Sequence, residues 1–232
     1  MGIPAIILKE LEFFRQLPDA AVAGVAGAMT EKSFARREVV FNKGEAGNTL
    51  CFLMEGRLQA VDFTIDGREV GLYFVDPGDY FGEMSVIDGL PRPDFLIAVA
   101  RSRVAFLSKD EARPLILNTS GLAERVLVRM ARRLRSVSAQ RTLLGLPNPA
   151  QRVCAQLVQL SVRTATGQKI ANAPTHQELA IMVNTSRESV TRIFQVLQAR
   201  QVLRRFEGDL VLNDAEYLNR VAEGQEELPK SG

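Results

Sequence analysis

From Phe34 to Leu107 the chain is a series of short apolar runs separated by glycine-containing turns, and this pattern then ends abruptly. The runs Leu50–Met54, Leu58–Phe63 and Val70–Val75 recur roughly every ten residues, the spacing of strands in an antiparallel sandwich or jelly roll. From Gly121 to Leu144 there is neither proline nor internal glycine, and the apolar residues are spaced as in a helix. The sequence therefore predicts an α+β protein whose N-terminal half is a β domain.

The long helical segment carries one apolar stripe at alternating steps of three and four residues, formed by Ala123, Leu127, Met130, Leu134, Val137 and Leu144, with Arg141 the only break. About three heptads of such a stripe are typical of helices that pair with each other. We therefore predict a homodimer whose interface contains Leu127, Met130, Leu134 and Val137. The alternative is that this face packs on the β domain of its own chain.

Gly145, Pro147 and Pro149 end this helix, because proline lacks the amide donor that a continuing helix needs. We predict three parts: a β domain at residues 1–110, a pairing helix with its hinge at 111–146, and a second domain at 147–232.

The second domain has the element order of a winged helix-turn-helix. An amphipathic helix is predicted at Ala150–Thr164, and two helices follow in quick succession at Thr175–Val183 and Ser186–Ala199. Two apolar runs then flank Glu207-Gly208-Asp209, which predicts a tight β-hairpin.

Charge is distributed unevenly between the two halves of the chain. The 29 Lys and Arg against 27 Asp and Glu leave a formal charge of only +2, which excludes a chain coated in basic charge. Counted along the sequence, residues 1–110 carry 12 basic and 16 acidic side chains, and residues 111–232 carry 17 and 11. The C-terminal half is therefore the one suited to a polyanion such as double-stranded DNA.

Histidine and cysteine are scarce, which argues against an enzyme and against a metal site. His176 is the one histidine, so a metal or acid–base site would have to be assembled from carboxylates. Cys51 and Cys154 lie far apart in apolar surroundings, as is typical of reduced thiols in a cytoplasmic protein. The apolar run Ile3–Leu8 is too short to span a membrane.

Taken as a helix advancing about 100° per residue, Ser186–Gln198 has two faces that do not overlap. The apolar face contains Val190, Ile193, Phe194 and Leu197, and the polar face contains Arg187, Glu188, Thr191, Arg192 and Gln195. An arginine fork can donate two hydrogen bonds to guanine, and a carboxylate can accept one from cytosine. The polar face therefore predicts base reading in a major groove by Arg187, Glu188, Thr191 and Arg192.

Hydroxyl and amide groups at the starts of the two helices are the predicted phosphate contacts, namely Thr175, Gln177, Ser186 and Ser189. Structural roles compete with these assignments. Thr175 with Glu178, and Thr185 with Glu188, each match a capping box. Arg187 and Arg192 can equally belong to an ordinary solvated face.

Four stretches resemble the CRP/FNR family of bacterial transcription regulators: FFRQLP at 13–18, PGDYFGEMS at 77–85, MARRL at 130–134 and TSRESVTR at 185–192. The resemblance covers nearly the whole chain. It implies an effector-sensing β-roll, a helix that dimerises as a coiled coil, and a winged helix-turn-helix that docks on a palindromic operator. RNA polymerase, recruited or blocked, is then an expected partner.

The recognition helix resembles that of CRP-type members, which read GTGA-like half-sites with the pattern Arg-Glu-x-x-x-Arg. Here the pattern is Arg187, Glu188 and Arg192. The resemblance implies that the two arginines contact guanines and that Glu188 contacts a cytosine. Thr191 stands where FNR-type members have a base-reading serine, which leaves room for an altered site.

The cyclic-nucleotide cassette of the family is only half present. Gly82, Glu83 and Arg92 match it, but Pro93 stands where a Ser or Thr supplies a hydroxyl to the phosphate, and proline has neither hydroxyl nor amide donor. Asp94 adds a negative charge beside that place. On the long helix, Val137-Ser138 replaces a Thr-Ser pair that contacts adenine.

We place the candidate effector pocket at Gly82, Glu83, Arg92, Pro93 and Ser138, and expect that it does not bind cyclic AMP in the usual way. An iron–sulfur cluster needs about four thiolates, and a histidine-ligated haem would need His176, which lies in the second domain. No cofactor is predicted. A different small ligand, weak nucleotide binding, and retention of the cassette for structure alone remain open.

One further hypothesis belongs to a different functional class. The chain is then a ligand-binding regulatory module whose winged helix contacts protein rather than DNA.

Overall fold

The computed structural model describes residues 3–67, 69–165 and 167–229. The chain divides into two compact units, Met1–Arg132 and Arg133–Gly232. In the described part of the chain, no helix combines the length and the apolar character needed to cross a membrane.

The first unit contains eight strands of the described chain: β1 (Thr30–Phe34), β2 (Val39–Phe41), β3 (Thr49–Glu55), β4 (Leu58–Phe63), β5 (Glu69–Val75), β6 (Tyr80–Phe81), β7 (Phe95–Ala98) and β8 (Ser102–Ser108). Its helices are α1 (Ala5–Glu10), α2 (Asp19–Ala26), α3 (Glu83–Asp88), α4 (Lys109–Asn118) and the first part of α5 (Leu122–Leu144).

These strands form two antiparallel four-stranded sheets, in the orders β1-β8-β3-β6 and β2-β7-β4-β5. The three apolar runs of the sequence are the strands β3, β4 and β5, so the predicted β domain is confirmed. Leu53, Leu58, Phe81 and Leu96 are buried in one core of this unit.

Aromatic rings form the other core of the first unit. Phe13, Phe14 and Phe52 lie with ring centroids 4.8 to 5.1 Å apart, and all three are buried. Leu122 and Val126 of α5 join this cluster. The start of the long helix is therefore attached to the β domain by packing.

The turn between β3 and β4 requires glycine. Gly56 has φ +88°, and a Cβ there would lie 2.2 Å from the carbonyl oxygen of Arg101 and 2.6 Å from Cα of Ser102. The Leu50–Met54 and Leu58–Phe63 runs are thereby joined without a clash.

The second unit contains the rest of α5, α6 (Pro149–Leu160), β9 (Val162–Thr164), β10 (Gly167–Ile170), α7 (His176–Met182), α8 (Arg187–Ala199), β11 (Leu203–Phe206), β12 (Asp209–Leu212) and α9 (Ala215–Ala222). Its sheet has the order β11-β12-β10-β9. Helices α7 and α8 and the hairpin of β11 and β12 lie where the sequence predicts them. The final helix α9 was not predicted; its Tyr217, Leu218 and Val221 are buried in the core of this unit.

The predicted helix Ala150–Thr164 is wrong at its C-terminal end. The helix ends at Leu160, and Val162–Thr164 pairs with β10 as an antiparallel strand. Ser161 is extended, its hydroxyl donates to the carbonyl of Val158, and it accepts from the Gln168 amide. These contacts stop the helix, and the β-branched Val162 suits the strand that follows.

Both cysteines are free and buried, each within its own unit. Burial raises the pKa of the Cys51 thiol and that of the Cys154 thiol to about 12. Both are therefore protonated at neutral pH and unreactive as nucleophiles.

Candidate nucleic-acid interface and effector pocket

Helix α8 is fixed by its apolar face. Val190, Phe194 and Leu197 are buried in the core of the second unit, and Ile193 packs against it half-buried. The helix begins after Ser186, whose hydroxyl oxygen accepts from the Ser189 amide at 3.1 Å. Packing and cap together fix which side chains face away from the domain.

The polar face of α8 is presented to solvent. Arg187, Glu188, Arg192 and Gln195 are exposed, and Thr191 is half-buried. Because Ser186 is the N-cap, the alternative capping box of Thr185 with Glu188 is not formed. Among the described residues, Glu188 has no hydrogen-bond or ion-pair partner, so its carboxylate is available as an acceptor. The guanidinium of Arg192 donates to the Ser189 hydroxyl at the long distance of 3.4 Å.

The predicted phosphate contacts all lie at the starts of α7 and α8. Thr175 forms the predicted capping box with Glu178: its hydroxyl accepts from the Glu178 amide at 3.3 Å, and the Glu178 carboxylate accepts from the Thr175 amide at 2.6 Å. The hydroxyls of Ser186 and Ser189 lie 2.9 Å apart. Gln177 is exposed. The structural role of Thr175 is therefore established, and its phosphate contact stays a prediction.

His176 belongs to this surface, although sequence reasoning assigned it no role there. Its Nδ1 lies 3.0 Å from the Thr191 hydroxyl, and its ring packs on Phe194 with centroids 4.5 Å apart. The Thr191 hydroxyl donates to the Arg187 carbonyl at 2.9 Å, so Nδ1 is the donor in the contact with His176. The one available signal was its position directly after the cap residue Thr175.

The surroundings of His176 favour the neutral imidazole. Burial, followed by the charges of Arg205 and Arg187, lowers the pKa of His176 below its ordinary value. Arg205 lies on β11 and Arg187 on α8, so both of these elements contribute positive charge around this ring. A phosphate arriving here would offset that charge and raise the pKa of His176.

We expect the second unit to lose stability as the pH falls from 7.5 to 5.5. Because the folded-state pKa of His176 is lowered, the unfolded state binds more protons below about pH 6.5, and unfolding is favoured there. His176 is the only histidine, so its side chain is the one whose ordinary pKa lies inside this window. Hydrogen exchange of the α7 and α8 peptides measures the effect.

The matched control is His176→Gln, which keeps a polar side chain but does not titrate. It is expected to show a smaller loss of protection between the two pH values. An equal loss in both proteins would contradict the role given to His176.

The candidate effector pocket is nearly filled by protein. Gly82, Arg92 and Pro93 line a cavity of about 20 Å³ together with Phe41 and Tyr73. Such a volume holds about one water molecule, whereas pockets for small ligands span roughly 300–1,000 Å³. Glu83 is buried at the start of α3. Ser138 belongs to the second unit, where it is exposed on α5, and its role stays a prediction.

Arg92 uses its guanidinium to bind the backbone. It is only 4% exposed, and it donates to the carbonyls of Gly82 at 2.9 Å and Thr49 at 2.7 Å and to the Thr49 hydroxyl at 3.0 Å. Its guanidinium carbon lies 4.0 Å from the centroid of the Phe41 ring. Burial lowers the pKa of Arg92. The residue that would bind a nucleotide phosphate therefore holds β3 and the β6–α3 turn together.

Asp94 is also occupied within the fold. The Tyr73 hydroxyl donates to its carboxylate at 3.0 Å. This bond joins β5 to the segment before β7, on the side of the cavity where Pro93 offers no donor. The pocket thus has an acceptor where a phosphate would need a donor.

Three of the four predicted dimer-interface residues are exposed apolar side chains. The exposed fractions are 65% for Leu127, 71% for Leu134 and 60% for Val137. Met130 is half-buried and packs on the core of the first unit. Within the first unit, the alternative in which the stripe packs on its own β domain therefore applies to Met130 but not to Leu127.

Clusters of at least three His, Cys, Asp or Glu side chains able to hold a metal ion are absent from residues 3–67, 69–165 and 167–229.

Comparison with known proteins agrees with this architecture. The cyclic nucleotide-binding domain family matches residues 31–119, and the Crp-like helix-turn-helix domain family matches residues 151–221. The chain is 29% identical over 220 residues to the CRP-like cAMP-activated global transcriptional regulator of Mycobacterium tuberculosis, covering 93% of this chain and 98% of that protein.

A second relative and a solved structure support the same assignment. Transcriptional regulator LdrP of Thermus thermophilus is 30% identical over 196 residues, which are 82% of this chain and 96% of that protein. The crystal structure of a CRP-family transcriptional regulator from the same organism is similar with a TM-score of 0.60 at 28% identity, over 86% of this chain and 100% of that chain. The chain therefore belongs to the CRP/FNR family of transcription regulators, which are not enzymes.

Proposed function

We propose that the chain acts as a homodimer and reads a palindromic operator with GTGA-like half-sites. The observation that carries this proposal is the polar face of α8: Arg187, Glu188 and Arg192 are exposed on a helix whose opposite side is buried. A rigidly held helix that exposes guanidinium groups near its N-terminus can enter a major groove and contact the bases there.

The proposed base-reading roles of Arg187, Glu188, Thr191 and Arg192 follow from whether their hydrogen-bonding groups already have partners in the second unit. Arg187 and Arg192 donate to guanine O6 and N7, and Glu188 accepts from cytosine N4. The Thr191 hydroxyl is already bonded to Arg187 and His176, so its remaining contribution is its methyl group, which suits the methyl of thymine. Thr175, Gln177, Ser186 and Ser189 contact phosphates.

Dimerisation covers the exposed stripe of α5. Leu127, Leu134 and Val137 are more than half exposed, and a second copy of the helix supplies a matching apolar surface. Pairing places two recognition helices on one duplex, as a palindromic site requires. RNA polymerase, recruited or blocked, is the proposed downstream partner.

Duplex binding is expected to weaken steeply as salt rises, because phosphate neutralisation releases counterions. Fluorescence anisotropy with a GTGA-containing palindrome from 50 to 300 mM salt measures the slope; a random duplex of equal length is the control. Absence of binding to either duplex at 50 mM salt would contradict the proposal and favour the hypothesis that the winged helix contacts protein rather than DNA.

We expect no micromolar binding of cyclic AMP, although the names of several relatives state activation by it. The cavity of about 20 Å³ has no room for a nucleotide, and Arg92 is bonded to the backbone. Calorimetric titration of the full chain tests this expectation. A micromolar dissociation constant would show that the pocket opens and would contradict it.

A further inference from the structure

The turn between α7 and α8 contains backbone carbonyls that α7 cannot satisfy, because the last carbonyls of an α-helix have no amide partner within it. These are the carbonyls of Met182, Val183 and Asn184. Asn184 has φ +48°, in the left-handed region where helices commonly end. Each of the three carbonyls accepts a hydrogen bond from a side chain outside this turn.

Arg152, near the start of α6, supplies two of these bonds. Its Nε donates to the Val183 carbonyl at 2.8 Å, and its Nη2 donates to the Asn184 carbonyl at 3.2 Å. Its Nη1 donates at 2.9 Å to the carbonyl of Leu146, in the segment between α5 and α6. One half-buried arginine therefore joins the α7–α8 turn to that segment.

The end of α5 is joined to the same turn. The Gln140 amide donates to the Met182 carbonyl at 2.6 Å. Leu143, about one helical turn further along α5, is buried in the core of the second unit. All of these residues belong to the second unit. Side chains of α5 and α6 therefore hold the turn from which α8 begins, across the segment 145–149 where the sequence predicts a hinge.

These contacts leave the pairing stripe of α5 exposed. Counting roughly 100° per residue from Leu134, Val137 lies near 300° on the helix, whereas Gln140 and Leu143 lie near 240° and 180°. Leu134 and Val137 are exposed, while Gln140 and Leu143 contact their own unit. The same length of helix can therefore pair with a second copy and hold the α7–α8 turn at once.

We propose that Gln140 and Arg152 are positioning residues: they fix the recognition helix α8 relative to the pairing segment of α5, and thereby set the half-site spacing that the dimer accepts. The connection between α5 and α8 stands on the hydrogen bonds above. The role in spacing rests on the proposed function.

The geometry of a duplex gives the physical reason. In a dimer paired through α5, any movement of α8 relative to its own α5 changes the distance between the two recognition helices. One base pair of spacer moves a half-site by about 3.4 Å and turns it by roughly 35° about the duplex axis. The turn cannot follow such a shift without breaking bonds to Gln140 or Arg152.

A purely stabilising role makes a different prediction. Loss of either side chain would then lower the fraction of folded protein and weaken binding to all duplexes by the same factor. A positioning role instead changes the ratio of affinities between duplexes of different spacing. This ratio is therefore the quantity to measure.

The first experiment uses palindromes with two GTGA half-sites whose spacer is lengthened or shortened one base pair at a time. We expect the parent chain to prefer one spacing over its neighbours by at least about tenfold, since only that spacing engages both recognition helices. Arg152→Met keeps an unbranched side chain but removes the donors, and it should reduce the preference at least about threefold.

A milder variant and a control accompany it. Gln140→Met removes a single hydrogen bond and is expected to reduce the preference in the same direction, so it covers the case in which Arg152→Met fails to fold. Arg163→Met replaces an exposed arginine of β9 in the same unit and should keep the preference of the parent.

The second experiment needs no DNA. Spin labels are attached through Ala139→Cys and Gln198→Cys, at exposed positions of α5 and α8, and excess unlabelled chain ensures that distances are measured within one copy. Cys51 and Cys154 are buried and do not compete for the label. Pulsed electron paramagnetic resonance should give a narrow distance distribution in the parent, and one at least about twice as wide in Arg152→Met and wider in Gln140→Met.

The outcomes separate this inference from the proposed function. A parent distribution as wide as those of the variants would overturn the rigid connection, whether or not the chain binds DNA. Equal parent binding at every spacing, or a preference that both variants keep, would overturn the role in spacing and leave the proposed function intact. If the parent bound no palindrome, the proposed function and the role in spacing would both fail, and the distance measurement would still decide the rigid connection.

Discussion

Replacing Arg187 with alanine is expected to weaken operator binding by about 1–3 kcal/mol, roughly 5- to 150-fold, and to relax the preference at one guanine. The side chain is exposed, and the helix below it is held by Val190 and Phe194, so truncation removes the fork and leaves the helix in place. Binding to random duplex should fall much less, because that binding depends on phosphate contacts.

The measurement is a pair of titrations, one with a GTGA palindrome and one with the same duplex changed at each guanine in turn. The matched control is Arg163→Ala, since Arg163 is an exposed arginine on β9 of the same unit and loses the same charge. If Arg187→Ala kept the parent's ratio of operator to random binding, Arg187 would not read a base. Equal losses in both variants would indicate a general effect of charge.

The recognition helix shows how far the sequence alone could go. Its two faces follow from helical periodicity, a local property, so α8 and its exposed residues were predicted correctly. Which residue caps the helix was not determined, because Ser186 and Thr185 both fit the N-cap pattern. The structure selects Ser186, and this choice leaves the carboxylate of Glu188 free.

Contacts between distant segments were beyond the sequence. His176 meets Thr191 across 15 positions, and Arg92 meets Thr49 across 43. The sequence shows which side chains can form hydrogen bonds, but the partners in those bonds depend on how the strands and helices pack. The strand β9 was missed for the same reason, because its pairing with β10 outweighs the helical pattern of the residues before it.

The type of Arg92 was evident from the sequence, but its contacts with the backbone were not. We expect its replacement to have the largest effect on stability. We expect Arg92→Ala to destabilise the first unit by about 3–5 kcal/mol, because it removes a charged donor from two backbone carbonyls and leaves them without it. Loss of packing on the Phe41 ring adds to the effect.

Urea denaturation combined with hydrogen exchange of the β3 and β8 peptides measures this change in the ligand-free protein. Arg101→Ala is the control: Arg101 is exposed directly before β8, and its loss should change stability by no more than about 0.5 kcal/mol. The comparison separates the two explanations for the retained arginine. If Arg92 served only to bind a ligand's phosphate, replacing it would leave the stability of the ligand-free protein about the same. If Arg92 holds β3 and the β6–α3 turn together, replacing it lowers that stability. Equal stability of Arg92→Ala and Arg101→Ala would therefore contradict the structural role of Arg92.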